Sequence, residues 1–360
     1  MNILAFESSC DETSVSCLCH DGEGFKILSN IVASQIETHR LYGGVVPEIA
    51  SRAHTEVISR ICYEALEVAG LSLSDIGLVA VTANPGLIGA LLVGVNFAKA
   101  LAVANGIPLV AVDHIKGHIA AAYLTEKAPK PPFLALAVSG GHTAIYKIDD
   151  YTDYKTVGTT RDDAIGEAYD KIGRLIGIPY PAGREFDALA GEGFVQAVGE
   201  REDYLTAYKK SAAYRDKQMT LPSPALHDES LDFSFSGLKT AAINLIHRFE
   251  MRGEELPRAA LAARYTYEAT EGVAKKIGEA FRKYPDLPLV VAGGVAANSH
   301  LRKRLDALAG QNKRELIIPP PSLCGDNAAM IGAQGYYEYL KGNLADSSLN
   351  ASALDKIETI

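Results

Sequence analysis

The chain has 360 residues, 48% of them hydrophobic and 22% charged, and its formal net charge is −9. This is the composition of an ordinary globular protein, and the length indicates two domains or two lobes. The negative charge argues against a stand-alone nucleic-acid binder, so contact with an RNA would need local basic clusters or a partner protein.

The cysteines and the N-terminal segment predict a cytoplasmic protein. The chain has five cysteines, an odd number without a C-x-x-C pair, which argues against a disulfide framework and fits a reducing compartment. Acidic residues interrupt the N-terminal segment, so it does not resemble a signal peptide. The longest uncharged run, Ile76 to Ala98, contains glycine, proline and asparagine. A strand, a turn and a packed helix explain this run better than a membrane span, and no membrane contact is expected.

The chain opens on a predicted β-hairpin whose pattern recurs further along the sequence. Residues Ile3–Cys19 have the order apolar strand, serine-containing turn and returning strand, and Phe133–Ile148 repeat that order. Between them, the pattern predicts a helix over His54–Leu71, a strand at Leu78–Val81 and a Gly/Ala-rich helix ending near Asn105. The recurrence predicts an internal duplication and therefore two related α/β lobes.

The second half of the chain is predicted to be mostly helical from Thr160 to about Arg282. Strands follow at Leu287–Ala292 and Leu316–Ile318, and a last helix ends near Leu340. The predicted division is an N-terminal lobe over 1–112 completed by a C-terminal helix at about 324–345, a second lobe over 113–323 with a helical insertion, and a polar tail over 346–360.

Two histidines follow the apolar run Leu109–Val112. If a helix begins there, with Asp113 as its N-cap, His114 and His118 share one helix face at the spacing i, i+4. This spacing is a common way to hold a transition metal, and the alternative is that both histidines are surface or capping residues. A zinc peptidase of the H-E-x-x-H type needs a glutamate between the histidines, and residues 115–117 supply none.

Three turns place small residues directly after predicted strands: Ser8–Thr13, Ser139–Thr143 and Gly293–Asn298. Small residues let the backbone approach a phosphate, whose oxygens the following N–H groups can bind. None of the turns matches a P-loop, and each alone is more often a structural turn than a ligand site. Three of them in two repeated lobes favour a nucleotide site between the lobes.

Several acidic residues are candidates for the same site. Asp11 and Glu12 lie in the first turn, where they could orient a metal or take a proton, or could simply be surface charge of a hairpin. Asp170 is a candidate for contact with a ribose hydroxyl. Asp326 precedes the last helix and is either its N-cap or a third ligand beside the two histidines. Two histidines and one carboxylate suit Fe(II) or Zn(II).

Six segments of the chain together carry a family resemblance. They are, in chain order, Phe6–Thr13, Tyr42–Glu48, His114–His118, Val138–Thr143, Asp232–Thr240 and Gly293–Asn298. These segments resemble the TsaD/Gcp family of bacterial tRNA threonylcarbamoyladenosine synthases, and the resemblance runs from residue 1 to about residue 340. It implies an α/β fold of two duplicated actin-like ATPase-type lobes, with mixed sheets flanked by helices and a nucleotide cleft between them.

The resemblance also implies an activity. The family transfers the L-threonylcarbamoyl group from threonylcarbamoyl-adenylate to the exocyclic amine of adenine 37 in tRNAs that read ANN codons, and AMP leaves. Its bacterial members work with a smaller TsaB-like paralogue of the same fold and a TsaE-like P-loop ATPase. Such partners would supply RNA contacts that an acidic chain lacks.

Site residues are implied by the same motifs. One divalent metal per chain, Fe²⁺ or alternatively Zn²⁺, would be bound by His114, His118 and Asp326. The residues implied in binding the adenylate are Ala137, Val138, Ser139, Gly140 and Gly141 at the phosphate, Asp170, Gly183 and Asp187 at the ribose, and Asn298 at the adenosine. Asp11 and Glu12 are the catalytic candidates, and the motif leaves open which of them acts as the base.

Some positions depart from the family pattern. Ala137 stands where archaeal and eukaryotic relatives have a ligand tyrosine, Pro181–Arg184 replaces the commoner P-G-G-P, and Ser223 replaces an arginine. None of these departures removes a predicted ligand. Two other functions remain open from the sequence: a metallopeptidase (glycoprotease), and a kinase or non-catalytic ATP-binding module suggested by the fold alone.

Overall fold

Two mixed β-sheets form the centre of the protein. The computed structural model describes residues 1–226, 228–354 and 357–359. The strands of the first sheet are β1 (Asn2–Glu7), β2 (Glu12–His20), β3 (Phe25–Ser34), β4 (Leu78–Asn84) and β5 (Leu109–Asp113). Their order is β3-β2-β1-β4-β5, with antiparallel pairing from β1 to β3 and parallel pairing from β1 through β4 to β5.

The second sheet repeats this arrangement. Its strands are β6 (Phe133–Val138), β7 (Thr143–Asp150), β8 (Asp153–Thr159), β9 (Leu289–Ala292), β10 (Leu316–Ile317) and β11 (Glu358–Thr359). The order is β10-β9-β6-β7-β8-β11, again with an antiparallel hairpin pair beside two parallel strands. Apart from the short β11, the two sheets have the same strand order and directions, which confirms the predicted duplication.

Helices cover both sheets. Those in the described part of the chain are α1 (Ile36–Arg40), α2 (Pro47–Ala69), α3 (Ile88–Asn105), α4 (His114–Ala120), α5 (Ile165–Leu175), α6 (Gly183–Val198), α7 (Tyr204–Lys210), α8 (Ala212–Arg215), α9 (Ser236–Arg252), α10 (Arg258–Lys283), α11 (Ser299–Gln311) and α12 (Ala328–Lys341). Short 3₁₀ turns lie at Leu73–Asp75, Ala121–Leu124, Lys217–Met219, Gly294–Ala297 and Pro321–Leu323.

The central strand β1 is apolar on both faces because helices cover both faces of its sheet. Leu4 and Phe6 pack into the core formed with α2 and α3, whereas Ile3 and Ala5 pack against the start of α12. Side chains alternate across a strand, so a continuous apolar run is what a doubly covered strand requires. The same reasoning applies to β6, whose six residues are all buried.

The helices α4 and α12 meet between the two sheets. Ile115 and Ile119 of α4 pack into the core of the second sheet, while α12 packs on the first. Their contact is close: a Cβ added at Gly117 would lie 2.5 Å from Cδ1 of Ile331. Glycine at this position therefore lets the two helices approach, and the approach brings the first turn of α4 beside the loop that precedes α12.

The sequence predictions differ from the structure in a few elements. Helix α2 begins at Pro47 rather than His54, because proline suits the first turn, where its missing N–H is no loss. Strands β3 and β8 were not predicted, and both are partly exposed strands with weak apolar alternation.

The predicted tail, 346–360, includes residues 355, 356 and 360, which lie outside the described residues. The lobe bounds 1–112 and 113–323 stay our proposal.

The uncharged run Ile76–Ala98 forms β4 and the first part of α3, as predicted. Within the described residues, α3 is the one helix that is long and apolar enough to cross a membrane by length and composition. Its residues Val95 and Ala98 pack into the core of the first lobe. A core helix passes the same test of length and composition, so α3 is weak evidence for a membrane span.

Candidate metal centre and cleft

The three turns singled out in the sequence lie around one cleft. This cleft has a volume of about 940 Å³ and is lined by residues 9–12, 139–142 and 294–298 except Ala296. Because the two sheets are related by duplication, the turns after β1 and β6 lie at corresponding edges. The structure thus brings together the turn segments that the sequence places far apart in the chain.

Three potential metal ligands meet at this cleft. His114 and His118 lie one turn apart on α4, and Asp326 lies in the loop before α12. The Oδ1 atom of Asp326 is 3.3 Å from Nε2 of His118 and 3.6 Å from Nε2 of His114. One ligand atom from each residue lies within 4.8 Å of the others. The arrangement is that of a site for a single metal ion with two nitrogen ligands and one oxygen ligand.

Neighbouring helix caps explain why these side chains face one another. Asp113 caps α4, since its carboxylate accepts hydrogen bonds from the backbone N–H groups of Ile115 (2.9 Å) and Lys116 (3.2 Å). Helix α12 is capped by Asn327, which accepts from the N–H of Met330 at 3.1 Å. Asp326 is therefore not the N-cap, which was the structural alternative for this residue, and its carboxylate is left to face the histidines.

Glu7, at the end of β1, orients the first histidine. Its side chain has no exposed surface, and its carboxylate accepts hydrogen bonds from Ser9 N (2.5 Å), Thr82 Oγ1 (2.6 Å) and His114 Nδ1 (3.0 Å). The hydroxyl of Ser9 also lies 3.1 Å from His114 Nδ1. With Nδ1 donating to Glu7, Nε2 of His114 is the nitrogen that faces Asp326. A carboxylate behind a ligand histidine is a common feature of metal sites.

The residues fit a divalent metal. Both ring nitrogens of His118 are buried; Nδ1 lacks a hydrogen-bond partner among the described residues, and Nε2 lies 3.3 Å from Oδ1 of Asp326 without hydrogen-bond geometry. A buried polar atom without a partner is costly, and a cation on Nε2 would provide the missing interaction. Burial alone would lower the pKa of His114, but Glu7 and Asp326 outweigh it and raise the pKa to about 9. A metal ion can replace the proton that these carboxylates attract.

Asp11 and Glu12 line the cleft in different environments. Tyr180, from the other lobe, donates its hydroxyl to Oδ2 of Asp11 at 3.2 Å. Burial, with the nearby charges of Asp326 and Asp11, raises the pKa of Glu12 to about 10. Its Oε1 accepts a hydrogen bond from Ser34 at 3.3 Å. Glu12 is therefore protonated near neutral pH.

The predicted phosphate turn is only partly at the surface of the cleft. Ala137 and Val138 are buried in β6, and the cleft lining begins at Ser139. The backbone N–H groups of Gly140 and Gly141 have no acceptor among the described turn and loop hydrogen bonds. These two N–H groups are consequently available to an anionic ligand.

The predicted nucleoside residues also line the cleft, and three of them already have structural partners. Asp170 accepts a hydrogen bond from the backbone N–H of Ala182 at 2.7 Å, and burial raises its pKa. Asp187 accepts from Ser299 N at 3.2 Å, and Asn298 caps α11 through its Oδ1. Gly183 lines the cleft at the start of α6. Any ligand here would bind beside side chains that are held in place.

Three residues of the site were not among the sequence candidates: Glu7, His142 and Tyr180. His142 lines the cleft, and burial together with the neighbouring His114 and His118 lowers its pKa to about 4, so its imidazole is neutral. The serine–glycine–glycine turn before His142 was a signal that could have pointed to it. Glu7 and Tyr180 gave no such signal, because their roles depend on contacts between distant segments.

The two duplicated mixed sheets flanked by helices form the actin-like ATPase-type fold that the sequence predicted, and the candidate metal cluster and the glycine turns lie in its cleft. Over residues 26–333 the chain matches the family described as "TsaD: tRNA N6-adenosine threonylcarbamoyltransferase". The chain belongs to this TsaD family.

Curated relatives agree with this assignment. A tRNA N6-adenosine threonylcarbamoyltransferase from Streptococcus pneumoniae (strain CGSP14) is 48% identical over 359 residues, covering 99% of this chain and 98% of the relative. One from Clostridium botulinum (strain 657 / Type Ba4) is 46% identical over 351 residues, covering 98% and 96%. The similarity extends over nearly the whole of each protein.

Two solved structures share the fold at low sequence identity. Full-length HypF in its phosphate- and nucleotide-bound form has a TM-score of 0.58 and 14% identity, covering 98% of this chain and 47% of HypF. Component A of the (R)-2-hydroxyglutaryl-CoA dehydratase of Acidaminococcus fermentans has a TM-score of 0.51 and 13% identity, covering 94% and 99%. These likenesses concern the fold alone.

Proposed function

We propose that the chain transfers the L-threonylcarbamoyl group from threonylcarbamoyl-adenylate to the exocyclic amine of adenine 37 in tRNAs reading ANN codons. The amine nitrogen bonds to the carbamoyl carbon, the bond from that carbon to the phosphate oxygen breaks, and AMP leaves with the electron pair. The observation that carries this proposal is the cluster of His114, His118 and Asp326 in one cleft with the unpaired N–H groups of Gly140 and Gly141. The two N–H groups, and a cation held by the three ligands, would interact with the phosphate of an acyl-adenylate.

The residues of the chain have distinct roles in this transfer. The N–H groups of Gly140 and Gly141 hold the phosphate and stabilise the charge that the leaving AMP develops. Asp170, Asp187 and Asn298 line the same cleft and hold the nucleoside.

The proton of the attacking amine goes to Asp11, because the raised pKa of Glu12 keeps that neighbour protonated. Tyr180 holds Asp11 in place by donating its hydroxyl to Oδ2 at 3.2 Å. We therefore propose Asp11 as the carboxylate of the pair that takes part in proton transfer.

His114, His118 and Asp326 would hold one divalent metal, Fe²⁺ in our proposal and Zn²⁺ as the alternative. When bound, such an ion polarises the donor as a Lewis acid. The chain's own contribution is to fix the ligands: Glu7 orients His114, and the caps at Asp113 and Asn327 orient the two helix starts.

The proposal includes partner proteins and a place in the cell. A TsaB-like paralogue and a TsaE-like P-loop ATPase would act with the chain on tRNA in the cytoplasm. The net charge of −9 supports the need for partners in RNA binding. The metallopeptidase alternative has no support from the cleft, because residues 115–117 between the histidines carry no carboxylate that could act as a general base.

The variant His118→Ala tests metal binding and acyl transfer in one experiment. We expect the variant, in a reaction reconstituted with donor, tRNA and partner proteins, to form little threonylcarbamoyladenosine and to retain less than one metal ion per chain by mass spectrometry. His247→Ala, which changes an exposed histidine on α9, is the matched control and should behave as the wild type. Full modification by a metal-free His118→Ala enzyme would contradict the metal's role.

A further inference from the structure

The mouth of the cleft carries exposed apolar and cationic side chains from both lobes. Leu41 is 84% exposed and Tyr42 is 59% exposed, and both lie in the turn between α1 and α2. Arg174 and Arg184 are exposed on the opposite lobe. These four residues are named the cleft rim. Leu41 has the largest exposed fraction of any large hydrophobic side chain in the described residues.

The rim residues are adjacent because the two lobes touch at this point. Arg40 donates its Nε hydrogen to the backbone oxygen of Tyr180 at 3.2 Å. A Cβ at Gly43 would lie 3.6 Å from two side-chain atoms of Arg174. Ile36 and Val45, on either side of the exposed turn, line the cleft, as does Arg184. The rim therefore borders the cleft on this side.

The turn is held rigidly and does not hide its apolar side chains. His39 is fully buried and bonded to Gln35 and to the N–H of Val46. The N–H groups of Tyr42 and Gly44 both donate to the backbone oxygen of His39. Leu41 and Tyr42 are thus presented to solvent by a well-bonded backbone, which lowers the entropy lost when a ligand stacks on them.

We propose that the cleft rim binds the nucleotides that flank the reactive adenine in the anticodon loop; this inference rests on the proposed function. RNA loops are recognised by stacking of splayed bases on aromatic side chains and on arginine, with cations at the phosphates. Tyr42 and Leu41 provide the stacking surface, and Arg174 and Arg184 face the phosphates. The nearby Glu37, on α1, is paired with Arg40 at 3.2 Å, and neither arginine of the rim has an ion-pair partner among the described residues.

The charge of the cleft favours this division of roles. Among the described residues, the carboxylic acids that line it are Asp11, Glu12, Glu167, Asp170, Asp187 and Asp326. Arg184 is the one arginine or lysine that the described part of the chain contributes to the same lining. An RNA strand therefore lowers its electrostatic repulsion by inserting only a base and leaving the neighbouring phosphates at the rim.

Steady-state kinetics of the reconstituted reaction test the stacking role. We expect Tyr42→Ala to raise KM for tRNA at least about fivefold, the effect of losing one stacked base, while KM for the donor stays at the wild-type value. Tyr42→Phe keeps the ring and should restore KM for tRNA. Tyr63→Ala, which removes a tyrosine that is 69% exposed on α2, is the matched control. An unchanged KM for tRNA in Tyr42→Ala would overturn the proposal.

The proposed contact of Arg174 and Arg184 with phosphates is tested by the salt dependence of tRNA affinity. We expect the double variant Arg174→Glu and Arg184→Glu to flatten the dependence of tRNA affinity on salt, by about 0.7 in log–log slope for each phosphate that an arginine no longer neutralises. Arg248→Glu on α9 reverses the charge of another exposed arginine and should keep the wild-type slope. An equal slope in the double variant and the wild type would overturn the assignment of phosphates to the rim.

Crosslinking identifies the occupant directly. A benzophenone side chain at position 42 should form crosslinks to anticodon-loop nucleotides beside position 37, and the same group at position 63 should not. Crosslinks at position 42 to a partner protein in place of RNA would overturn the proposal and assign the rim to a protein. A wild-type enzyme that leaves tRNA unmodified would instead contradict the proposed function, so the two failures are distinguishable.

Discussion

At the scale of single residues, the metal centre depends on a carboxylate that is not itself a ligand. Glu7 is buried in the first lobe, yet three hydrogen-bond donors surround it, and one of them is His114. Burial raises the pKa of Glu7, but the charge and hydrogen bond of His114 outweigh this and lower it. Glu7 therefore remains charged and fixes which nitrogen of His114 is offered to a metal.

Replacing Glu7 by glutamine keeps the shape but removes the charge behind His114. We expect Glu7→Gln to weaken metal binding about 10- to 100-fold, as other losses of such supporting carboxylates do. Competition with a chromophoric chelator measures this affinity without reference to catalysis. Glu67→Gln, at an exposed position of α2, is the control. Equal metal affinity in Glu7→Gln and the wild type would show that the carboxylate does not orient the ligand.

The raised pKa of Glu12 predicts that the stability of the metal-free protein depends on pH. Its pKa is about 10 in the folded state against 4.5 as the ordinary value, so between these pH values the folded chain holds a proton that the unfolded chain has lost. Folding then takes up a proton, and this residue makes the free energy of unfolding fall as pH rises through that window.

Glu12→Gln removes the titration and keeps a neutral side chain. We expect the variant to be more stable than the wild type at pH 8, with a difference that shrinks towards pH 4. Urea unfolding of chelator-treated protein at both pH values measures the difference. A constant difference across this range would contradict a raised pKa at Glu12.

At the scale of elements, the contact between α4 and α12 sets the distance between the metal ligands. Helix α4 carries His114 and His118. Helix α12 begins shortly after Asp326. Gly117 is the closest point of the contact, because a Cβ there would meet Ile331 at 2.5 Å. A shift of either helix would thus separate Asp326 from the histidines.

Gly117→Ala tests this coupling of packing and metal binding. We expect a loss of about 1–3 kcal/mol in the free energy of unfolding from overpacking, together with weaker metal binding. Ile331→Val in the same chain shortens the opposing side chain and should restore part of both. Gly310→Ala, in a helix where nothing lies within 4 Å of the added Cβ, should instead be neutral or slightly stabilising. Unchanged metal affinity in Gly117→Ala would separate the helix contact from the site.

At the scale of the whole molecule, the duplication was visible in the sequence because each copy begins with the same buried hairpin. The strand orders of the two sheets confirm it. Edge strands such as β3 were missed because Ser29 alone of its ten residues is buried, so the sequence of β3 carries no clear apolar alternation. His114 and His118 were singled out by their spacing, and Asp326 was proposed as their third ligand. The meeting of these residues depends on how α4 and α12 pack, which spacing does not encode. Glu7 and Tyr180 were missed for the same reason.

Tyr180 connects the two lobes at Asp11, the carboxylate that we propose takes the proton. Its hydroxyl donates to Asp11 at 3.2 Å, and its backbone oxygen accepts from Arg40 at 3.2 Å, so one residue of the second lobe contacts two segments of the first. We expect Tyr180→Phe, which removes the hydroxyl alone, to lower kcat about tenfold, the effect of losing one hydrogen bond to a charged group. KM for tRNA should stay at the wild-type value, because the backbone contact with Arg40 is retained. Tyr204→Phe, whose hydroxyl bonds His300 instead, is the control. A wild-type kcat in Tyr180→Phe would mean that Asp11 is held by its own turn and that the lobes need no link through this side chain.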